Sequence, residues 1–410
     1  MTNNMRRILL AFIAVSVLGL TGLYTVLSAS DDNQVAAILR KFTKPETNLP
    51  DQPDEWRGRI NYTQLDQQFA AMAQRSEMAG LAIAIVEDGE LRFIRTYGVI
   101  DRDTNVPVTL GTVFRWASVS KTVAGTLAAT FANEGLVDLD RPVARYQTTL
   151  RLPEGAESRL SFQQLLSQQT GLTKNAFDGQ LEDGQDPGLL RASLASAPLQ
   201  CQPGSCHTYQ NIAFDAASEI LEQAAKRSYP DTVSERFFLP LGMNSASFGM
   251  TGLTKAKDWA RPHSGRMVRT VKEAYWRVPA AAGVESNIVD FARWMQATMG
   301  DRPDVLSETT LRIAQTPRVN TAPIYAGELR QANSEAHYGL GWRSFKYDDN
   351  VLVGHSGAVD GYRATLIFDP AARVGVVAMW NSNWGTPFRI PFAVFDSYHQ
   401  RTDSRWLELD

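Results

Sequence analysis

Alternating apolar and polar positions predict a β-hairpin early in the chain. In "LAIAIVEDGELRFIRTYGVID", residues 81–87 and 91–98 read as strands joined at Asp88-Gly89, a pair that favours a tight turn. From Val119 to Asn133 the period turns helical, rich in alanine and free of proline, with Gly135 as the stop. Further helical stretches fall at 161–169, 188–196, 211–226 and 231–237. Strand character returns in "YGLGWRSFKY", "NVLVGHSG", "YRATLIFDP" and "VGVVAMWNSN", the last two joined by the turn Asp369-Pro370-Ala371-Ala372-Arg373. This order predicts an α/β (α+β) fold. One antiparallel sheet is built from the N- and C-terminal segments and flanked by helices, with a mostly helical region inserted. The expected parts are a sheet region, 61–115 plus 280–400, and a helical region, 116–279. No internal repeat is present, which excludes a solenoid or propeller.

The N-terminus has a different pattern. Arg6 and Arg7 precede an apolar run from Ile8 to Leu27. A run of about 20 residues is long enough to span a bilayer and favours an anchor, whereas Ser28-Ala29-Ser30 fits the small-residue rule for signal cleavage. Residues 1–30 are therefore a signal peptide or a membrane anchor. In either case the arginines stay inside and the rest crosses. The expected location is periplasmic, or anchored to the inner membrane with the folded domain outside the cytoplasm. Residues 31–60 are polar with three prolines and read as a linker.

Composition narrows the partners. The 410 residues are 44% hydrophobic and 10% aromatic, enough for a large core. The net charge is -3 and no block of consecutive basic residues occurs, which argues against a nucleic-acid partner. There are two cysteines, Cys201 and Cys206, in "LQCQPGSCHTYQN". They are too few for a structural zinc site, and no His-Glu-x-x-His occurs. In an oxidising compartment the pair reads as a disulfide across the turn at Pro203-Gly204; the alternative is two reduced thiols.

Candidate chemistry starts at "WASVSKTV". Ser118 and Lys121 are three apart at a helix start and share a face, so the lysine can reach the serine hydroxyl. A serine becomes nucleophilic when a base takes its proton, and the helix N-terminus favours a nearby oxyanion. Ser is also a common N-cap, so the pair alone decides little. A second site for chemistry is Gly354-His355-Ser356-Gly357-Ala358, a near miss to the Gly-x-Ser-x-Gly elbow followed by Asp369, Asp396 and His399. An elbow must lead into a helix, and "GYRATLIFDP" reads as strand, which excludes it.

The order of Ser118-x-x-Lys121, Tyr209-x-Asn211 and His355-Ser356-Gly357 resembles the class C β-lactamase, low-molecular-mass penicillin-binding protein and related esterase family. "FRWASVSKTVAGTLAATFANEGLVDLDRPV", "FQQLLSQQTGL", "PGSCHTYQNIAFDAASEILE", "AAGVESNIVDFARW" and "YGLGW" are similar to further segments of that family, in the same order, over residues 61–400. The resemblance implies a β-lactamase-related catalytic domain with Ser118 as nucleophile, Lys121 as its partner and Tyr209 as the proton shuttle. Asn211, His355, Ser356, Gly357 and Ala358 would contact substrate, with the backbone N–H groups of Ser118 and Ala358 as the oxyanion hole.

One departure matters. Many β-lactamases of the group carry Lys where His355 stands, and a histidine near its usual pKa of about 6.5 is a weak site for a carboxylate. Arg363, eight residues on, is a candidate replacement charge, or an ordinary solvated strand residue. The expected function is an exported serine hydrolase that acts through an acyl-enzyme on an amide or ester, needs no metal or cofactor, and takes a small-molecule, peptide or ester substrate. The alternative is a penicillin-binding D,D-carboxypeptidase or a slowly deacylating penicillin sensor.

Overall fold

The computed structural model describes residues 58–322, 325, 327–401 and 405–407. The leader at 1–30 and all of the linker except its last residues lie outside them. Among the described residues no helix is long and apolar enough to cross a membrane.

The hairpin forms as its pattern predicts. Strands β1 (Gly80–Glu87) and β2 (Glu90–Asp101) meet at Asp88-Gly89, both with positive φ, +54° and +85°, as the tight turn requires. β3 is the short Val106–Pro107. The later strands are β4 (Val319–Asn320), β5 (Asn333–Tyr338), β6 (Arg343–Tyr347), β7 (Asn350–Val359), β8 (Tyr362–Asp369) and β9 (Val374–Trp380). They form one nine-stranded antiparallel sheet in the order β3-β2-β1-β9-β8-β7-β6-β5-β4. The seam between the two ends of the chain is β1 against β9, with Leu81 opposite Trp380 and Val86 opposite Gly375.

Period two explains why β1 is buried along its whole length. Ala82, Ala84 and Val86 point into one core and Leu81, Ile83 and Ile85 into another, so the sheet is covered on both faces. The second face is covered by helices α1 (Tyr62–Ala73) and, at the other end of the chain, Ile390–Tyr398, neither of which the sequence reading identified. Tyr62, Leu65, Phe69 and Met72 of α1 recur at helical spacing and are all buried. The first face is covered by the inserted helical region and by Ile288–Gln296.

Most helical stretches appear with shifted bounds. The expected 119–133 helix, α2, runs Ser120–Asn133. The expected 161–169 helix stops at Leu166, because Gln168 turns to φ +63° and uses its side chain elsewhere. The 188–196 stretch is Pro187–Ser193 plus a short 3-10 turn, and the expected 211–226 helix is two pieces, Asn211–Phe214 and Ala216–Ala225. The 231–237 stretch begins earlier, as Tyr229–Val233, and continues into a wider turn, Ser234–Phe238.

Candidate active site

Ser118 sits on a tight turn between a strand and a helix. A small sheet of Phe114–Arg115, Val284–Ser286 and Ser247–Phe248 brings the 284 segment alongside, and Trp116 is fixed there twice. Its backbone N–H donates to Val284 O at 2.9 Å and its indole N–H to Ser286 Oγ at 2.9 Å. Ala117 then takes φ +48°, a region that costs a non-glycine residue about 1–2 kcal/mol. That twist leaves Ser118 partly exposed while Ala117 and Val119 on either side are buried.

The third motif presses on this turn from the sheet. Gly357 on β7 lies so close that an added Cβ would stand 2.1 Å from Trp116 O and 2.9 Å from Ser118 N. Only glycine leaves room for the strand there. Ala358, the next residue, is exposed, and Ser356 Oγ lies 3.0 Å from Thr365 Oγ1 on β8.

Lys121 is fully buried. Its Nζ is 3.3 Å from Ser118 Oγ, 2.7 Å from Asn211 Oδ1 and 3.0 Å from Ala281 O. The side chain of Asn211 and the 281 carbonyl are both held in place. Asn211 Nδ2 donates to Asp178 Oδ2 at 2.7 Å, and Ala280 N donates to Asp215 Oδ1 at 2.9 Å. Asp215 is gripped in turn by Arg191 at 2.7 Å, yet burial still pushes its carboxyl up to about 7. Burial also raises the Asp178 carboxyl, against the pull of Asn211 and Lys121.

Tyr209 is half-buried, with Lys121 Nζ 4.7 Å from its ring centre. The chain around it is clamped by the loop after residue 166. Thr208 N donates to Gln168 O, Gln210 N to Gln168 Oε1, and Asn175 N to Tyr209 O. Cys201 and Cys206 are joined as a disulfide, and the loop they close packs on the same segment through Gly204 N to Gln169 O at 2.7 Å.

His355 lies in the same cleft, its ring 6.4 Å from that of Tyr209, and it is buried. Nδ1 is 2.8 Å from Ser356 O and Nε2 is 2.9 Å from the Tyr338 hydroxyl. A carbonyl only accepts, so Nδ1 carries the proton and Nε2 accepts from Tyr338. Desolvation, then Arg343 and Lys121, hold the imidazole well below its usual pKa. The lowered pKa agrees with the expectation that His355 is a weak site for a carboxylate: the ring is a neutral hydrogen-bonding group. Arg363 does not replace it. Its guanidinium is spent on the carbonyl oxygens of Val359 and Tyr362, at 2.6 and 2.7 Å.

Two residues the sequence reading passed over complete the site. Arg343, on β6 just after "YGLGW", lies over the rings of Tyr209 and Tyr338 at 5.7 and 5.0 Å. It has no ion pair or side-chain hydrogen bond among the described residues. The only sequence signal was a charge in an apolar strand. Asp178 is 33 residues from Asn211 and had no local signal at all. A cavity of about 240 Å³ is lined by Tyr275, Val359, Tyr362 and Arg115 among others, with none of Ser118, Lys121, Tyr209 or His355 in its lining. Among the described residues no group of three or more His, Cys, Asp or Glu side chains is placed to hold a metal.

A large antiparallel sheet flanked by helices, with the turn that bears Ser118 against its face, is the fold of serine β-lactamases and penicillin-binding proteins, and comparison with solved structures agrees. An octameric penicillin-binding protein homologue from Pyrococcus abyssi superposes with TM-score 0.72 at 21% identity, covering 82% of this chain and 77% of that one. A class C β-lactamase mutant, in which a tyrosine is replaced by phenylalanine, gives 0.66 at 20% identity, covering 85% of this chain and all of that one. Residues 65–391 match the family described as Beta-lactamase, and the chain belongs to it. Protein flp of Staphylococcus aureus (strain N315) is 24% identical over 326 residues, 78% of this chain. The unguisins hydrolase ungD' of Aspergillus campestris is 24% identical over 369 residues, 83% of this chain. The match spans only 63% of the staphylococcal relative's length and 66% of the fungal one's.

Proposed function

We propose that the protein is an exported serine hydrolase that cleaves an amide or ester through an acyl-enzyme at Ser118. The observation that carries this is the placing of Lys121. In its base form an amine has two N–H groups and one lone pair. Asn211 Oδ1 and Ala281 O only accept and take both N–H groups, which leaves the lone pair for the Ser118 hydroxyl proton at 3.3 Å.

Ser118 Oγ bonds to the substrate carbonyl carbon while its proton passes to Lys121. The oxyanion is held by the backbone N–H groups of Ser118 and Ala358. As the tetrahedral intermediate collapses, the leaving group takes a proton relayed by Tyr209. Water then attacks the ester and releases Ser118. Arg343, a cation without an ion pair among the described residues, lies beside Tyr209 and the neutral His355 and favours a substrate that carries a carboxylate on the leaving-group side. The relative that bears the name of a hydrolase supports turnover over an idle site.

The test compares Ser118→Ala and Tyr209→Phe with the parent on a short-chain ester and on a peptide ending in a carboxylate. Ser118→Ala abolishes turnover of both, and Tyr209→Phe lowers kcat with little change in KM. Hydrolysis by folded Ser118→Ala at the parent rate rejects the proposal.

A further inference from the structure

Asp178 lies outside the three motifs but touches the hydrogen-bond chain that ends at Ser118. It opens the short helix Asp178–Glu182 and is only 8% exposed. Oδ2 accepts from Asn211 Nδ2 at 2.7 Å and lies 3.3 Å from the Tyr275 hydroxyl, which in turn donates to Glu182 Oε1 at 2.9 Å. Asn211 Oδ1, at the other end of the same amide, is 2.7 Å from Lys121 Nζ.

An asparagine amide has two ends, and only its surroundings decide which one faces which neighbour. A flipped Asn211 would turn Nδ2–H toward Lys121. The base form of the amine would then spend its lone pair on that N–H and present an N–H to Ser118. A carboxylate has no hydrogen, so it faces only the Nδ2 end, and this forbids the flip.

We infer that Asp178 is a positioning residue: it locks the Asn211 amide so that Lys121 keeps its lone pair for Ser118. The inference rests on the acyl-enzyme reading above. It adds a chain of two contacts, Asp178 to Asn211 to Lys121, that acts on the acylation step without touching substrate.

The experiment is a double-mutant cycle read as the acylation rate with an activated ester, with thermal melting to establish that each variant folds. Asp178→Ala lowers the rate by about tenfold to a hundredfold, the range for losing a hydrogen bond to a charged group, with KM for a slow ester changed by less than about twofold. Asp178→Ala added to Asn211→Ala lowers the rate no further, since the only route of action is already gone. Asp178→Asn, whose amide can present an N–H as well as an oxygen to Asn211 and so permits the flip, is slowed by at least about threefold. If Asp178→Ala does not fold, Asp178→Ser, with too short an acceptor, takes its place in the cycle. Losses that multiply in the double variant, an unchanged rate in Asp178→Ala, or Asp178→Asn at the parent rate would each overturn the inference. These outcomes leave Ser118 labelling intact, so they are distinct from failure of the acyl-enzyme itself.

Discussion

The close approach of β7 to the turn that bears Ser118 gives a prediction whose size follows from the geometry. Gly357 has an ordinary strand backbone, so Gly357→Ala introduces no dihedral strain and tests space alone. The new Cβ would stand 2.1 Å from Trp116 O, where ordinary contact begins near 3.4 Å. The strand or the turn must therefore retreat by at least about 1 Å. Trp116 is tied to Val284 and Ser286 and packs on Phe291 at 4.5 Å, so the displacement falls mainly on the Ser118–Ala358 gap. A misplacement of about 1 Å at a reacting group costs on the order of 10²-fold in rate, equivalent to about 2.7 kcal/mol of barrier. Overpacking should cost about 1–3 kcal/mol of stability, a moderate drop in melting temperature. Rapid-quench acylation by an activated ester, alongside melting curves, measures both. A folded Gly357→Ala variant that acylates at the parent rate would show that the strand does not set the position of Ser118.

Other expectations follow from buried charge. Glu285 takes hydrogen bonds from Trp276 and Ser247, yet burial pushes it up to about 8, as it pushes Asp215 to about 7. Both carboxyls keep their protons longer folded than unfolded, so the folded state binds more protons between about pH 4 and 8 and stability falls as pH rises through that window. Glu285→Gln should flatten the decline, by up to about 4 kcal/mol at pH 8 in denaturant melts; an unchanged slope rejects the role given to burial. Arg343→Ala should raise KM at least about tenfold for a substrate with a leaving-group carboxylate and leave a neutral ester within about twofold. Equal effects on both would remove Arg343 from substrate binding.

Local patterns were legible where one rule decided the outcome. The hairpin at Asp88-Gly89 and the strands from 350 to 380 follow from alternation and turn residues, and α2 follows from its alanine-rich period. The cover helices at 62–73 and 390–398 were missed although Leu65, Phe69 and Met72 carry a helical spacing, because nothing local marks a surface helix as the lid of a sheet. The bounds of the 161–169 helix were wrong for a tertiary reason: Gln168 leaves the helix to hold the Tyr209 segment. In the site, the nearness of Lys121 to Ser118 was readable from their spacing, though their role was not, nor was the protonation state of His355. It depends on burial and on Arg343 and Lys121 at long sequence separation. Asp178 and Arg343 were invisible for the same reason, since pairing across the fold has no local period.

The most direct test of the central claim is intact-mass spectrometry of the purified protein, quenched at short times after mixing with an activated ester and mapped by proteolysis. The account predicts a transient gain of one acyl group on the peptide that holds Ser118, followed by its loss as product appears, and no gain in Ser118→Ala. Turnover with no adduct at the shortest times, or an adduct on any other residue, contradicts it.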